Sequence, residues 1–412
     1  MTRALIPTLL VLFTVGCGVD AAVRDLPDDA PVQDIRVDES VPDGLVPEDV
    51  PEDVPPAPPL FKRGRVIPPD SLACVEPDTG ADTLSCNHHG SSVAVEEDGT
   101  VLVVWYHGKH EKSKDSRIVW SRRLPGGDFG PAVVLFDAPG LAEGNPAIRV
   151  HEDGSLFLFF VTILGESWND AEIRLTHSED RGETWGDVQV LRSTWGWMVR
   201  NHPLRLSNGE LLLPLYDETT YTPAFMISGD DYAASWQEID FSQDPLGFLD
   251  HMSQIQPSVI ERDDGTLFAL SRNTTNAHAQ GFEMTSPDFG RTWTKGEKSA
   301  VPNAGDGMEM VRLASGRVAL AFSNSHGPRY PTAVALSDDE GRSWFAVADL
   351  DPPCSPGESC SHGYNSIAQD PTDHSIWITY TDGRHTIGWV HTNEAWIQEQ
   401  GSAFVTVEDE AR

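Results

Sequence analysis

The sequence predicts an all-β fold, a six-bladed β-propeller of four-stranded antiparallel blades. A unit of about fifty residues recurs six times, which is the signature of an array of identical supersecondary pieces. Each unit opens on an apolar-alternating segment, a tight turn of the Asp-Gly or Asn-Gly type, and a second, more apolar segment. Four units then carry a polar turn that ends in Trp.

The opening hairpins are "SSVAVEEDGTVLVVWYH" (91–107), "NPAIRVHEDGSLFLFFV" (145–161), "HPLRLSNGELLLPLYDE" (202–218), "QPSVIERDDGTLFALSRN" (256–273), "MEMVRLASGRVALAFSNS" (308–325) and "NSIAQDPTDHSIWITYTDG" (365–383). Asp-Gly between alternating hydrophobics is a strong short-range hairpin signal, because both central residues of the tight turn need φ above zero. A third strand such as "EIRLTH" or "TAVALS" follows, and a fourth leads into the next unit. No such unit buries both faces alone, so the six must pack side by side around an axis. The Trp turns are "SEDRGETW" (178–185), "SPDFGRTW" (286–293), "SDDEGRSW" (337–344) and a longer "SGDDYAASW" (228–236). Their Trp is expected to wedge between blades, with the Ser, Asp and Gly holding the turn.

A meander puts its first and third turns at one end of the blade. The Asp-Gly hairpins and the Trp turns therefore share one face. The starts of the first strands and the ends of the second collect on the other, around the central channel. Polar residues from all six units fall there, Glu218 and Arg384 among them, and that mouth is the expected ligand site.

The flanks are of another kind. "MTRALIPTLLVLFTVGC" (1–17) reads as a lipoprotein signal with Cys17 as the lipidated residue; an ordinary secretory signal is the alternative. Residues 18–60 carry 12 acidic against 2 basic residues, a net −10, with many Pro, the composition of an extended, self-repelling tether. The propeller is expected over 61–400 and a tail over 401–412. The expectation is therefore an exported chain, lipid-anchored to the bacterial cell envelope or secreted, touching a membrane only through its N-terminus.

A formal net charge of −35 excludes bulk attraction to nucleic acid or to an anionic membrane. The remaining four Cys fall in two close pairs, Cys74/Cys86 and Cys354/Cys360. In an oxidising compartment these read as two local disulfides, with a zinc site as the alternative. No cofactor or resident metal is expected, and the protein is read as a monomer.

The Ser-x-Asp-x-Gly-x-x-Trp turn is the Asp box, or BNR repeat. Over roughly residues 85–395 the chain resembles the sialidase (neuraminidase) superfamily of six-bladed propellers. The resemblance implies an exo-acting hydrolase of terminal sialic acid or a related acidic sugar, with a sialoside or other acidic glycan as partner. It places Arg272 ("FALSRN") and Arg329 ("SHGPRYPTAVALS") on carboxylate-binding arginines, Tyr364 ("SHGYNSI") on the nucleophile and Asp115 ("GKHEKSKDSRIVWSRR") on the acid/base.

Two places depart from the family pattern. "NHHGSS" replaces the Phe-Arg-Ile-Pro motif, so His88 and His89 stand near the position of its Arg. "IQPSV" leaves Gln256 where the family has the Glu that assists the Tyr. A phenol ionises near ~10 and attacks poorly unless a base takes its proton, so Glu309 or Asp306 is expected to supply that base. Arg200 and Asn201, at the start of the third unit, complete the expected binding set. A His plus Tyr pair could instead abstract a proton from a uronate, as polysaccharide lyases do, and a non-catalytic carbohydrate-binding propeller is the third reading.

Overall fold

In the computed structural model, the described residues are 57–67, 87–229, 235–241, 254–274, 280–351 and 360–404. Cys17, Cys74, Cys86 and Cys354 lie outside them. Cys360 is within them and is disulfide-bonded. The tether, too, lies outside the described residues up to residue 56, and so does part of the fourth Trp turn.

Six antiparallel sheets form, one per repeat, in the order of the chain. Blade 1 consists of Asn87–Val95, Val101–Gly108, Arg117–Arg123 and Val133–Phe136, and blade 2 of Ala142–Val150, Leu156–Ile163, Ala171–Ser178 and Gln189–Arg192. Blade 3 has a broken inner strand, Trp197–Val199 and Leu204–Arg205, followed by Leu211–Asp217, Thr222–Ser228 and Trp236–Asp240. Blades 4 and 5 begin at Gln254–Glu261 and Glu309–Arg312.

Blade 6 draws its outer strand from the other end of the chain. Phe61–Arg65 pairs with Thr386–Thr392, outside Ile376–Asp382 and the inner His362–Gln369. The ring is thus closed by hydrogen bonds between the two ends of the fold. A short helix, Glu394–Gln400, follows, capped by the Asn393 side chain accepting from Trp396 N; its Trp396 stacks on Phe61 at 4.2 Å. This helix was not expected from the sequence.

The core is divided by blade seam. Six apolar clusters fill the interfaces 1–2, 2–3, 3–4, 4–5, 5–6 and 6–1. The seam between blades 6 and 1 buries Trp105, Trp377 and Ile387 with Val66 and Ile67, just past the closing strand.

The Trp turns serve these seams. In the first, Ser178 Oγ donates to Asp180 Oδ1 at 2.8 Å and accepts from Gly182 N at 2.7 Å, while Asp180 also accepts from Thr184 N and Oγ1. The same bonds recur around Asp288 and Asp339. Gly182 takes φ 84°, and a Cβ there would stand 2.2 Å from the Trp120 ring of blade 1, so glycine is required twice over. Each turn then reaches back to the preceding blade's hairpin: Arg181 to Glu96 and Asp98, Arg291 to Glu210, Arg342 toward Asp264. The repeated motif is a clasp between neighbours, on the face away from the polar mouth.

Candidate active site

Four inner strands are interrupted by a bulge near their start: after His89, Gly144, Ile255 and Gly363. The residue inside each bulge is left-handed: Gly90 (φ 64°), Asn145 (φ 46°), Gln256 (φ 56°) and Tyr364 (φ 56°). Three of the four are not glycine, at about 1–3 kcal/mol each, and such strain persists where the surroundings over-determine it. Asp306 does so for Tyr364. Its Oδ1 accepts from Tyr364 N at 3.0 Å, its Oδ2 from Ser323 Oγ at 2.8 Å, and a Cβ on Gly363 would meet it at 2.5 Å. Three of the bulges turn a side chain, Asn145, Gln256 or Tyr364, into the mouth of the channel.

There they line a cavity of about 270 Å3. Arg272 Nη1 donates to the Tyr364 hydroxyl at 3.1 Å and to Gln256 Oε1 at 3.3 Å. Gln256 Nε2 lies 3.4 Å from both the Tyr364 and the Tyr216 hydroxyls. Arg329 and Arg384 line the same cavity. Arg384 is held by Glu111 Oε1 at 2.6 Å and Asn87 Oδ1 at 3.1 Å, and Arg329 by Gly305 O at 2.7 Å. Three guanidiniums from three blades thus face one small space in a chain of net charge −35. That is the donor set for a planar anion.

The sequence-predicted residues divide into those that line the cavity and those that support it. Tyr364, Gln256, Arg272 and Arg329 are brought together. His89 is buried, its ring 4.0 Å from that of Tyr364, with Nδ1 2.8 Å from Thr381 Oγ1 and Nε2 3.3 Å from Glu111. Burial, and then Arg384, Arg329, Arg200 and Arg272, hold it neutral, well below the usual histidine range. His88 points the other way: its Nδ1 accepts from Trp105 Nε1 at 3.0 Å and its ring stacks on His107. Burial and the neighbouring His107 and His385 push it down to about 3. Neither His belongs to a metal cluster among the described residues.

Arg200 lies buried with its guanidinium 5.2 Å from the Tyr364 ring, donating to Asn365 O, and Asn201 donates to Gln256 O. Both brace the bulges from beneath instead of lining the cavity.

Two expected roles find no geometric support. Glu309 is buried among the inner strands, where blade 3 and blade 6 take up its carboxylate. Its Oε1 accepts from His202 N and lies 2.8 Å from His202 Nδ1, and its Oε2 accepts from Ser366 Oγ and Ile367 N. Asp306 bonds the Tyr364 backbone, so neither carboxylate stands at the hydroxyl. Asp115 is outside the cavity lining, accepting from Ser113 Oγ and Lys109 N. Its partial burial raises its pKa, but these bonds outweigh that and hold it below the usual carboxylate range.

The cavity contains Glu218, which the sequence placed at the mouth without a particular role, and residues it did not single out: Glu111, Asn145, Trp168 and Tyr216. Asn145 was discoverable, since it occupies the repeat position of Gln256 and Tyr364. A larger cavity, about 920 Å3, opens at the hairpin end of the channel between the inner strands. Its Arg312 is engaged by Asp263 and Glu340, and its Arg262 donates to Glu340 O, so these cations already serve the blade seams. The smaller cavity has the convergent polar groups.

A six-bladed propeller with Asp-box clasps on one face and an arginine-lined cavity on the other is a sialidase-like fold. The chain belongs to the BNR repeat-like domain family, whose model matches residues 99–376. The intramolecular trans-sialidase of Ruminococcus gnavus, solved with oseltamivir carboxylate, is similar at 14% identity and TM-score 0.61, over 76% of this chain and 95% of that one. The NanB sialidase of Streptococcus pneumoniae is similar at 15% identity and TM-score 0.62, covering 77% and 70%. A protein of unknown function from Dyadobacter fermentans is similar at 16% identity and TM-score 0.59, covering 75% and 95%. Among curated proteins, none matches the chain in sequence.

Proposed function

We propose that the protein is a glycoside hydrolase that removes a terminal acidic sugar, of the sialic acid type, with Tyr364 as nucleophile. The observation that carries this reading is the cavity that Arg272, Arg329 and Arg384 line together with Tyr364, Arg272 donating to its hydroxyl. The three arginines take the sugar's carboxylate. A neutral phenol then suits attack on the anomeric carbon that bears this carboxylate, because a charged nucleophile would be repelled by it. Arg384 gives the cavity a third guanidinium in a chain whose "NHHGSS" lacks the family's first arginine.

One observation favours a second reading, a non-catalytic acidic-glycan-binding propeller: the group beside the phenol is Gln256, an amide that takes no proton. The lyase reading is weakened by His89, whose two ring nitrogens face Thr381 and Glu111 in a buried setting.

Release of free sugar from an alkyl sialoside separates these readings. The hydrolase reading expects turnover that Tyr364→Phe lowers by about 100-fold or more while sugar affinity stays. Gln256→Glu, which sets a carboxylate at the phenol, is expected to raise turnover. Binding without turnover in the wild type and in Gln256→Glu would leave the binding module; an unsaturated product absorbing in the near ultraviolet would make it a lyase.

A further inference from the structure

The fold sets blade 3 directly across the channel axis from blade 6, because each blade packs on its two chain neighbours and the ring has six. Tyr364 comes from the inner strand of blade 6. On the facing wall, at the end of the second strand of blade 3, stands Glu218. Its backbone N donates to Gly196 O at 2.7 Å, which ties it to the loop leading into the blade. Its Oε2 is buried without a hydrogen-bond partner in the structure. An orphaned carboxyl oxygen on a cavity wall is costly and calls for an explanation.

A displacement at carbon supplies one. The nucleophile and the leaving group occupy opposite sides of the reacting carbon, so a proton donor for the leaving oxygen must face the nucleophile across the cavity. Asp115 does not line that cavity; Glu218 lines it on the required side.

We propose that Glu218 is the proton donor to the leaving oxygen, and the base that later activates water. This rests on the hydrolase reading above. In the first step the Tyr364 oxygen bonds to the anomeric carbon. The bond from that carbon to the aglycone oxygen breaks, and its electron pair stays on that oxygen. The proton of the Glu218 carboxyl neutralises it, and the phenol's own proton leaves to water in the cavity mouth. In the second step a water oxygen bonds to the carbon as the Tyr364–carbon bond breaks. Glu218, now a carboxylate, takes the proton of that water, and the phenolate is reprotonated from solvent.

The electrostatics agree. Burial raises the carboxyl to about 7; Arg272 and Lys112 oppose this, and Asp217 and Glu111 add to it. A group that titrates there is available in both forms near neutral pH.

The test compares two substrates: a methyl α-glycoside of N-acetylneuraminic acid, whose leaving oxygen needs a proton, and the 4-nitrophenyl glycoside, whose leaving group departs unassisted. Glu218→Gln should cut turnover of the methyl glycoside by about 100-fold or more and leave bond cleavage in the nitrophenyl glycoside within about tenfold, read as single-turnover release of nitrophenol. The alkaline limb of kcat/KM on the methyl glycoside, which falls as Glu218 loses its proton through about 7 in the wild type, should vanish. Asp115→Asn should leave both substrates nearly unchanged. Equal losses on both substrates, or a retained limb, would overturn the assignment of Glu218 alone. A wild type inactive on both substrates would overturn it together with the hydrolase reading.

Discussion

Replacing Arg272 with Ala separates a binding residue from a structural one, and the structure sets the size of each effect. Among the described residues, its hydrogen-bond partners are the Tyr364 hydroxyl at 3.1 Å and Gln256 Oε1 at 3.3 Å, both neutral. Both partners line a cavity where water can replace the lost guanidinium, so the cost to folding is about 1 kcal/mol. A bound carboxylate is different. Each hydrogen bond to a charged group is worth about 1.5–3 kcal/mol, and a guanidinium can offer two to one carboxylate. Arg329 and Arg384 remain in the variant, so the lower end applies, about 3 kcal/mol, or roughly a hundredfold in Kd. Titration calorimetry with N-acetylneuraminic acid reads the affinity, and differential scanning fluorimetry the stability. Weak binding with a Tm within a few degrees of wild type is expected. A collapsed Tm with unchanged affinity in the folded fraction would show that Arg272 holds the blades and not the ligand.

Two further predictions concern buried carboxyls. Glu309→Gln should cost stability, about 3 kcal/mol, because it leaves His202, Ser366 and the Ile367 amide with a poorer acceptor; kcat per folded molecule should hardly change, and a selective loss of kcat would restore Glu309 to the chemistry. Among the described residues the Glu143 carboxyl has only long bonds, from Thr162 Oγ1 and Ala138 N at 3.4 Å, and burial raises it to about 7. Its folded pKa lies above the unfolded value, so its ionised form destabilises the fold, and stability falls as pH rises from the unfolded value through about 7. Glu143→Gln should therefore match wild type near pH 4 and exceed it at pH 8 by about 2–3 kcal/mol in chemical unfolding; equal stability at both pH values would refute the sign.

The blades were legible because their signals are local. A two-residue alternation and an Asp-Gly turn dictate a hairpin wherever they occur, and Ser178, Asp180 and Gly182 close their turn within eight residues. Arg272 and Tyr364 were legible through resemblance and repeat position. What escaped depends on backbone that local pattern does not specify. The loop "GKHEKSKDS" offers two acids, and its fold turns Glu111 inward while Ser113 and Lys109 hold Asp115 outside. Glu309 sits only three residues beyond Asp306. Yet at Glu309 the inner strand has begun, and its carboxylate is committed to His202 of blade 3 and Ser366 of blade 6. The outer strand of blade 6, Phe61–Arg65, pairs with residues more than 320 positions away, which no window of sequence can display.

The amide at 256 also bears on what the cavity binds. A carboxylate there would lie within hydrogen-bond reach of Arg272 Nη1, as Gln256 Oε1 does at 3.3 Å, and would form a close ion pair with it. Part of the cation's field would then be neutralised before any ligand arrived, and a sugar carboxylate would have to compete with that internal anion. Gln256 keeps the geometry of the contact without the charge. Arg272, unlike Arg384 with its Glu111 partner, therefore keeps its full pull on an anion, at the expense of a base beside the phenol. The acid that remains in the cavity near its neutral form, Glu218, lies on the opposite wall, where it does not cancel that pull while it keeps its proton. On the proposed function, the arrangement trades proton acceptance at Tyr364 for a stronger hold on an acidic ligand.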